Sequence, residues 1–499
     1  MTKKTETIDQ GVSDALSAAS DAQLLATLGY KQELWRHYST VQVFAIAFSI
    51  MGLLPSIAPT LSFSIPAGPV GMVWVCVVFC VFIFLVGLAM AGLASAMPTA
   101  GGLYFWTHHF SGERWKNPLS FVVGYSNTIG LIGGVCSIDY GFATMLLAII
   151  SIARDGTLSA SRPVVYGTYV GCVVVHGLTA TFFARIMPKI QSVCIVTNIG
   201  LVIATVLALP IGKVVNEETI NSGTYVFGQL GNLTTWPKGW AFMLAWLSPI
   251  WTIGGFDSCV HMSEEATNAA HTGYSVIYYD CLGKPGALGF MAVVAMVQFF
   301  MGLSLLIAAS RQSWAFSRDG ALPFSSFFRH VSKRIHFQPV RMIWGVVGAT
   351  TIIGFLSLIN AAAANAIFSL PVAGNVLAWM VPILCRLVWS HEEQRFHPGV
   401  FYTGRWVSRP IAVVAVAYLG FAIGLCMVPT LGPGRSSQNM NYTVVINGAL
   451  WGGALLYYLL YARKTYKRPQ ATVHSLSLST PAETNGESLR SGGGVVVIL

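Results

Sequence analysis

Long apolar runs alternate with short polar segments along most of the chain, and this pattern predicts membrane-spanning helices. No Asp, Glu, Lys or Arg occurs between Arg36 and Glu113, and 342–385 is a second stretch without charge. A helix needs about 20 apolar residues to cross a bilayer, so each of these stretches holds two crossings. The full pattern predicts eleven spans, at 41–64, 70–96, 119–150, 164–183, 190–212, 240–262, 286–310, 342–360, 366–385, 410–430 and 444–462.

The composition excludes a soluble protein. Hydrophobic residues make up 54% of the 499 residues and charged residues only 10%, with a mean hydropathy of +0.63, which leaves too little polar surface to face water. We therefore expect an all-α, multi-pass integral membrane protein surrounded by the lipid bilayer. The net charge of +10 comes from residues between the apolar runs, so it indicates membrane orientation and not a nucleic-acid partner.

The two ends of the chain differ from its apolar middle. The N-terminal residues are polar and mixed in charge, and the first apolar run is too long for the core of a cleavable signal peptide. The C-terminal residues are rich in Ser, Thr and Gly, which is typical of a flexible tail. We expect a cytoplasmic N-terminal tail (1–40), a transmembrane domain (41–465) and a disordered cytoplasmic C-terminal tail (466–499).

The distribution of Lys and Arg disagrees with eleven crossings. With the N-terminus inside and an even number of crossings, 23 of these residues lie on the cytoplasmic side and 6 outside, as expected because positive loops stay inside. Eleven crossings from an inside N-terminus leave 10 inside and 19 outside, and from an outside N-terminus 19 and 10. The segment between Glu264 and Lys284, where a crossing is required, is too polar and too short for a spanning helix. One helix is therefore missing there, and we expect 267–284 to be irregular.

Two predicted spans contain residues that break helices. The first includes Gly52 and Pro55, and the sixth includes the pair Gly254 and Gly255. Unpaired amides in mid-membrane survive only where they line a cavity or bind a ligand. Discontinuous helices at the first and sixth positions are typical of a transporter built from two inverted five-helix repeats. The alternative is that these glycines only permit close helix packing.

Four motifs resemble those of a known family: FSIMGLLPSIAPTL in the first span, MPTAGGLYFW after the second, WTIGGFDSCVHMSEEATNAA in and after the sixth, and ASRQSWAFSRDGALPFS after the 286–310 span. The chain resembles the amino acid-polyamine-organocation superfamily and, within it, the fungal amino acid/choline transporters that include GABA permeases. The resemblance implies the LeuT-like inverted-repeat fold with twelve helices. The missing helix is then the seventh, and 286–310 corresponds to the eighth.

The same resemblance implies a secondary active transporter for a small amino compound, coupled to protons, with no enzymatic activity and no cofactor or metal. An amino acid such as GABA is the expected substrate. Choline or a polyamine is the alternative substrate, and a transport-defective form that lacks one helix is the alternative of a different class. A plasma-membrane location is expected, with the vacuole or another organelle as the alternative.

The broken spans supply the candidate substrate-binding residues. A half-helix that begins at the first break points its amides at the midplane and favours a carboxylate, whereas the unwound sixth span offers carbonyls, aromatic rings and an acid to an amine. The residues assigned to the first role are Ser49, Ile50, Met51, Gly52, Leu53 and Leu54. Those assigned to the second are Trp251, Gly254, Gly255, Phe256 and Asp257.

Charged residues supply the candidates for proton handling and gating. Asp257 and Asp139 are the acids well inside apolar spans, where burial of a charge is costly and residues of this kind are usually functional. Asp139 also fits a simple polar contact. Glu264 and Glu265 lie at the cytoplasmic end of the sixth span, and an inner-gate ion pair with Arg318 suits them better than substrate contact.

The charge distribution generates a topology prediction. Single cysteines placed at Ser325 and Ser332 in a cysteine-free background should resist a membrane-impermeant thiol reagent in intact cells and react after permeabilisation, because 311–341 is predicted to be cytoplasmic. A cysteine at Ser222, between the predicted outer residues Lys213 and Lys238, is the matched control and should react in intact cells. Labelling of the first two positions from outside would mean that the second half of the chain is inverted.

Overall fold

The structure is a computed structural model that describes residues 33, 40–155, 160–216, 219–262, 277–335, 337–359, 361–389, 396, 398–399, 401–429, 432–433 and 442–466. All of these lie in one compact unit, Gln32–Gln470. Within them the regular structure is helical apart from an isolated bridge between Ser332 and Gln338, so the all-α prediction is confirmed.

Nineteen α-helices organise the described residues, and the first eighteen are numbered here. In chain order they are α1 (Thr40–Met51), α2 (Leu53–Ser64), α3 (Gly68–Ala96), α4 (Gly102–Phe110), α5 (Lys116–Ala153), α6 (Arg162–Phe182), α7 (Met187–Val215), α8 (Gly223–Gly228), α9 (Lys238–Leu244), α10 (Leu247–Thr252), α11 (Ser258–His261), α12 (Ile277–Arg318), α13 (Ser325–Phe328), α14 (Val340–Gly354), α15 (Leu356–Ile359), α16 (Ala361–Val388), α17 (Arg405–Cys426) and α18 (Tyr442–Tyr457). A 3-10 turn, Ile65–Ala67, joins α2 to α3, and a π-helical turn, Tyr458–Ala462, leads from α18 into the short helix Arg463–Thr465.

Nine helical segments of the described chain are long and apolar enough to cross a membrane, and each overlaps a span predicted from the sequence. The two remaining predicted spans, 41–64 and 240–262, are the ones with breaking glycines, and both are interrupted. The first consists of α1 and α2, and the sixth consists of α9, α10 and α11. The counts of eleven and twelve helices stay predictions, because 263–276 lies outside the described residues.

The expectation that 267–284 is irregular is wrong for its second half. Residues 277–284 are helical and form the first two turns of α12, whereas 267–276 lies outside the described residues. Extending an existing helix adds one hydrogen bond for each residue fixed, so polar residues next to an apolar span readily continue its helix. α12 also runs past the predicted end at 310, to Arg318, and Gly320 with φ 78° follows this end in the left-handed conformation typical of a helix stop.

The core of the membrane domain lies around α5, α12 and α16. In the apolar windows of the spans, 67% of residues are buried in α12 and 78% in α16, against 22% in α7 and 17% in α18. α7 and α18 therefore lie at the rim, where their exposed side chains suit contact with lipid. α5 and α16 approach so closely that a Cβ on Gly374 would lie 2.9 Å from the Gly130 Cα and 2.9 Å from the Ser126 carbonyl oxygen. Small residues at this crossing let the two backbones touch.

Candidate functional site

The first break lies at Gly52. This residue has φ 20° and ψ 97°, α1 ends at Met51, and α2 begins at Leu53 without a side-chain cap. A Cβ at Gly52 would lie 2.9 Å from the Met301 sulfur, so the position is also sterically closed to larger residues. Ser56 satisfies the α1 end by donating its hydroxyl to the Met51 carbonyl at 2.7 Å. The amides at the start of α2 have no acceptor within a preceding helical turn and form a positive pole at this depth.

The second break lies between α10 and α11. Residues 253–257 form a turn, and Gly255 adopts φ 90°, a left-handed conformation that glycine enters without strain. A Cβ at Gly255 would lie 2.8 Å from Ile50 Cγ2. The two breaks therefore touch each other, and the glycine provides the space at their contact.

A cavity lies where the breaks meet. Four sequence-predicted substrate residues line it: Ile50, Trp251, Gly254 and Gly255. The remaining walls come from α5, α12 and α16. No Asp, Glu, Lys or Arg is among the described residues that line this cavity. A polar ligand held there would contact backbone dipoles, uncharged polar groups and aromatic rings.

The other predicted substrate residues lie next to the cavity but do not line it. Ser49 accepts a hydrogen bond from the Ser304 hydroxyl at 3.2 Å, on the α12 side. Met51 and Phe256 belong to one small apolar cluster, and Leu54 packs in another with Met145. Gly52 and Leu53 form the break itself. The role of all eleven residues in binding stays a prediction.

The α16 wall was not predicted from the sequence, and it carries two unsatisfied polar atoms. Asn375 Oδ1 and Trp379 Nε1 are buried, line the cavity, and have no hydrogen-bond partner among the described residues. Buried polar atoms of this kind are normally paired, so they mark places where a ligand or water completes the structure. The signal that could have found Asn375 is an amide in the middle of an otherwise apolar span.

Asp257 is completely buried at the end of the second break. Its Oδ2 accepts a hydrogen bond from Asn127 Nδ2 of α5 at 3.1 Å and lies 3.5 Å from His261 Nε2 of α11. Its Oδ1 has no partner among the described residues. Asp257 does not line the cavity. The ring centre of Phe256, the residue before it, lies 4.7 Å from that of Trp379 in the cavity wall.

Asp139 lies in a second buried acid–histidine pair. Its Oδ2 is 3.1 Å from His176 Nδ1 of α6, and Gly302 of α12 leaves room for the carboxylate. The Cys172 thiol is nearby and completes a set of groups able to bind a metal. However, the sulfur lies 4.0 Å from Nδ1 and 3.8 Å from Nε2, nearly equidistant, so it does not converge with either nitrogen lone pair on one point. This geometry fits an acid–histidine pair better than a metal centre.

The proposed inner-gate partners are described only in part. Arg318 is buried at the end of α12 with its guanidinium 4.7 Å from the centre of the Trp314 ring, and neighbouring Asp319 accepts a hydrogen bond from the Tyr104 hydroxyl at 2.8 Å. Glu264 and Glu265 lie outside the described residues. Their ion pair with Arg318 therefore stays a prediction.

Comparisons with known proteins identify the family to which this chain belongs. A protein-family model described as amino acid permease matches residues 38–278 and 271–450. The GABA-specific permease of Saccharomyces cerevisiae is 40% identical over 498 aligned positions, which cover 91% of this chain and 87% of that protein. The chain belongs to the amino acid permease family. It is a multi-pass membrane transport protein and not an enzyme.

Two further relatives show how wide the similarity is. An uncharacterized amino-acid permease of Schizosaccharomyces pombe is 30% identical, with 90% of this chain and 87% of that protein covered. A putative polyamine transporter of Candida albicans is 25% identical, with 94% and 92% covered. The similarity thus extends over nearly the whole permease domain.

The contact between the breaks generates a prediction about substrate binding. Gly255→Leu should abolish amino acid uptake by the permease, because the new side chain meets Ile50 at once and the φ of 90° strains any residue with a Cβ. Gly453→Leu on α18 is the control, since that position has open space around it. Surface expression and uptake of labelled amino acids are measured for both. Full uptake by the Gly255 variant would mean that the glycine pair serves helix packing alone.

Proposed function

We propose that this permease transports GABA, coupled to protons, at the plasma membrane. The observation that carries the proposal is a cavity without charged lining residues, next to which one helix starts and another is interrupted. Amides at the start of α2 favour a carboxylate, while carbonyls of the unwound 253–257 segment and the ring of Trp251 favour an ammonium group. A substrate with both charges and no need for a charged partner fits this arrangement. The 40% identity to a GABA-specific permease supports the same substrate.

Choline or a polyamine is the second candidate substrate, and the similarity to a putative polyamine transporter is the observation in its favour. A polyamine carries two or more positive charges and no carboxylate. Burying those charges needs acidic partners, and among the described residues none lines the cavity. Choline would leave the amides of α2 without an anion. Both molecules therefore use only half of the site, which favours GABA.

The chain itself is proposed to lack the seventh helix of the family and to transport poorly for that reason. The alignment to the GABA-specific permease has 498 positions, whereas 91% of 499 residues is about 454, so about 44 positions face gaps in this chain. The two family matches also meet at 271–278, within the segment too polar for a spanning helix. The seventh helix would be the repeat partner of the second, here α3, and its loss weakens the bundle that carries substrate.

Reconstituted vesicles test the substrate. Purified full-length protein in proteoliposomes should exchange labelled GABA for internal GABA, and an inward proton gradient should raise GABA accumulation above that of vesicles without the gradient. Choline and spermidine should neither exchange nor compete. Exchange of choline or spermidine without exchange of GABA would replace the proposed substrate, and accumulation that does not respond to the gradient would remove proton coupling.

Restoring a helix tests the second part of the proposal. Insertion of an apolar helix of about 20 residues between Thr267 and Ile277 should raise GABA uptake, because it supplies the crossing that the charge distribution requires. A Gly/Ser segment of the same length at the same place is the control and should give no increase. Equal, robust uptake by the unmodified chain would show that the seventh helix is dispensable.

A further inference from the structure

Asp257 and His261 approach each other through two hydrogen-bond acceptors. His261 Nδ1 lies 3.1 Å from the Ala100 carbonyl oxygen, and a carbonyl can only accept, so Nδ1 carries a hydrogen. In a neutral imidazole Nε2 then has a lone pair. Nε2 lies 3.5 Å from Asp257 Oδ2 and has no hydrogen-bond partner among the described residues, and both side chains are completely buried. An ionised carboxylate and a neutral imidazole nitrogen at this distance repel each other, whereas one added proton makes the contact attractive.

We propose that Asp257 and His261 together form the binding site for the coupling proton, which is held between Asp257 Oδ2 and His261 Nε2. The inference rests on the proposed function, and it adds a residue that the sequence analysis did not assign. The proton enters from water on the side of higher acidity and leaves to water on the other side, so the cycle needs no other reactant. With the proton bound the pair has no net charge. Without it the pair leaves a buried negative charge, which is costly in a sealed site.

The charge of the Asp257–His261 pair is set by the pair itself and not by the helices packed against it. α5 presents the neutral amide of Asn127 to the carboxylate, and α1, which packs against α11, carries no charged residue. α12 also packs against α11, and it contributes Arg311 and Arg318 along its C-terminal part, followed by Asp319. Arg311 donates to Gln338, Arg318 lies over Trp314, and Asp319 bonds Tyr104. These three groups already have contacts of their own.

Backbone continuity links the proton to the substrate. Gly254 and Gly255 line the cavity, and Asp257 is the last residue of the same unwound turn. Phe256, between them, packs on Trp379 of the opposite wall. A substrate that orders this turn therefore also sets the distance between Asp257 and His261. By reciprocity, a proton that shortens the distance between Asp257 and His261 favours the conformation of the turn that binds substrate.

The Asp139–His176 pair is the matched control within the same chain. It is equally buried and also joins one acid to one histidine, at 3.1 Å. Both residues lie on continuous helices, α5 and α6, and neither belongs to a break. A purely structural role for buried acid–histidine pairs predicts the same behaviour for both, whereas proton coupling predicts a difference.

Binding measurements on the purified full-length chain separate these alternatives without requiring transport. The affinity of the unmodified protein for labelled GABA should increase on acidification with a limiting slope of about tenfold for each pH unit, the signature of one linked proton. Asp257→Asn and His261→Gln should remove this dependence. Asp257→Glu should retain it, and Asp139→Asn and His176→Gln should keep the slope whatever they do to affinity. Size-exclusion profiles verify that each variant is folded.

The outcomes distinguish the proton site from the substrate proposal. A slope that survives in Asp257→Asn and His261→Gln, or pH-independent binding by the unmodified protein, overturns the proton site and leaves GABA as substrate. Absence of GABA binding overturns the substrate instead. In that case acid titration of the detergent-solubilised protein decides: it should take up one proton more than either variant, and equal uptake would overturn the site. If one of the two variants does not fold in the presence of GABA, the same titration is used. The unmodified protein is then compared with the variant that does fold.

Discussion

The structure depends on how the backbone is satisfied inside the membrane. Hydrocarbon offers no hydrogen bonds, so a helix can stop at mid-depth only where its terminal amides and carbonyls meet other polar groups or a ligand. This protein stops helices at Gly52 and again at 253–257, and it places the two interruptions in contact. The Ser56 hydroxyl satisfies one terminal carbonyl, and the cavity lies next to both breaks.

Specificity in such a site depends on dipoles that the chain cannot easily change by side-chain substitution. The α2 amides and the carbonyls of the second break belong to the backbone, and Gly255 at the contact leaves no room for a Cβ. The adjustable part is the wall from α16, where Asn375 and Trp379 present buried polar atoms.

Hydropathy predicted all the membrane segments that the structure describes, because burial in lipid depends on local composition alone. The glycines at 52, 254 and 255 likewise predicted where helices break. The contact between Asp257 and Asn127 could not be predicted, since Asn127 lies 130 residues away in the chain and has no local signature. The extension of α12 to Arg318 was also hidden, because Arg311, Gln312 and Ser313 read as a polar loop yet are buried against other helices. The helical state of 277–284 depended in the same way on a neighbouring segment and not on its own composition.

The crossing of α5 and α16 has a mechanical consequence. Where Gly374 meets Gly130, backbone touches backbone with no side chain between them, and the Ser126 hydroxyl bonds the Gly374 carbonyl at 2.9 Å. Helices usually slide past each other by rotating the side chains between them. A contact between two backbones has no such side chains and cannot adjust in this way. We therefore expect α5 and α16, which form two walls of the cavity, to move together as one rigid unit. The shape changes of a transport cycle are then expected to occur mainly in the interrupted segments, α1–α2 and α10–α11, and not at this crossing.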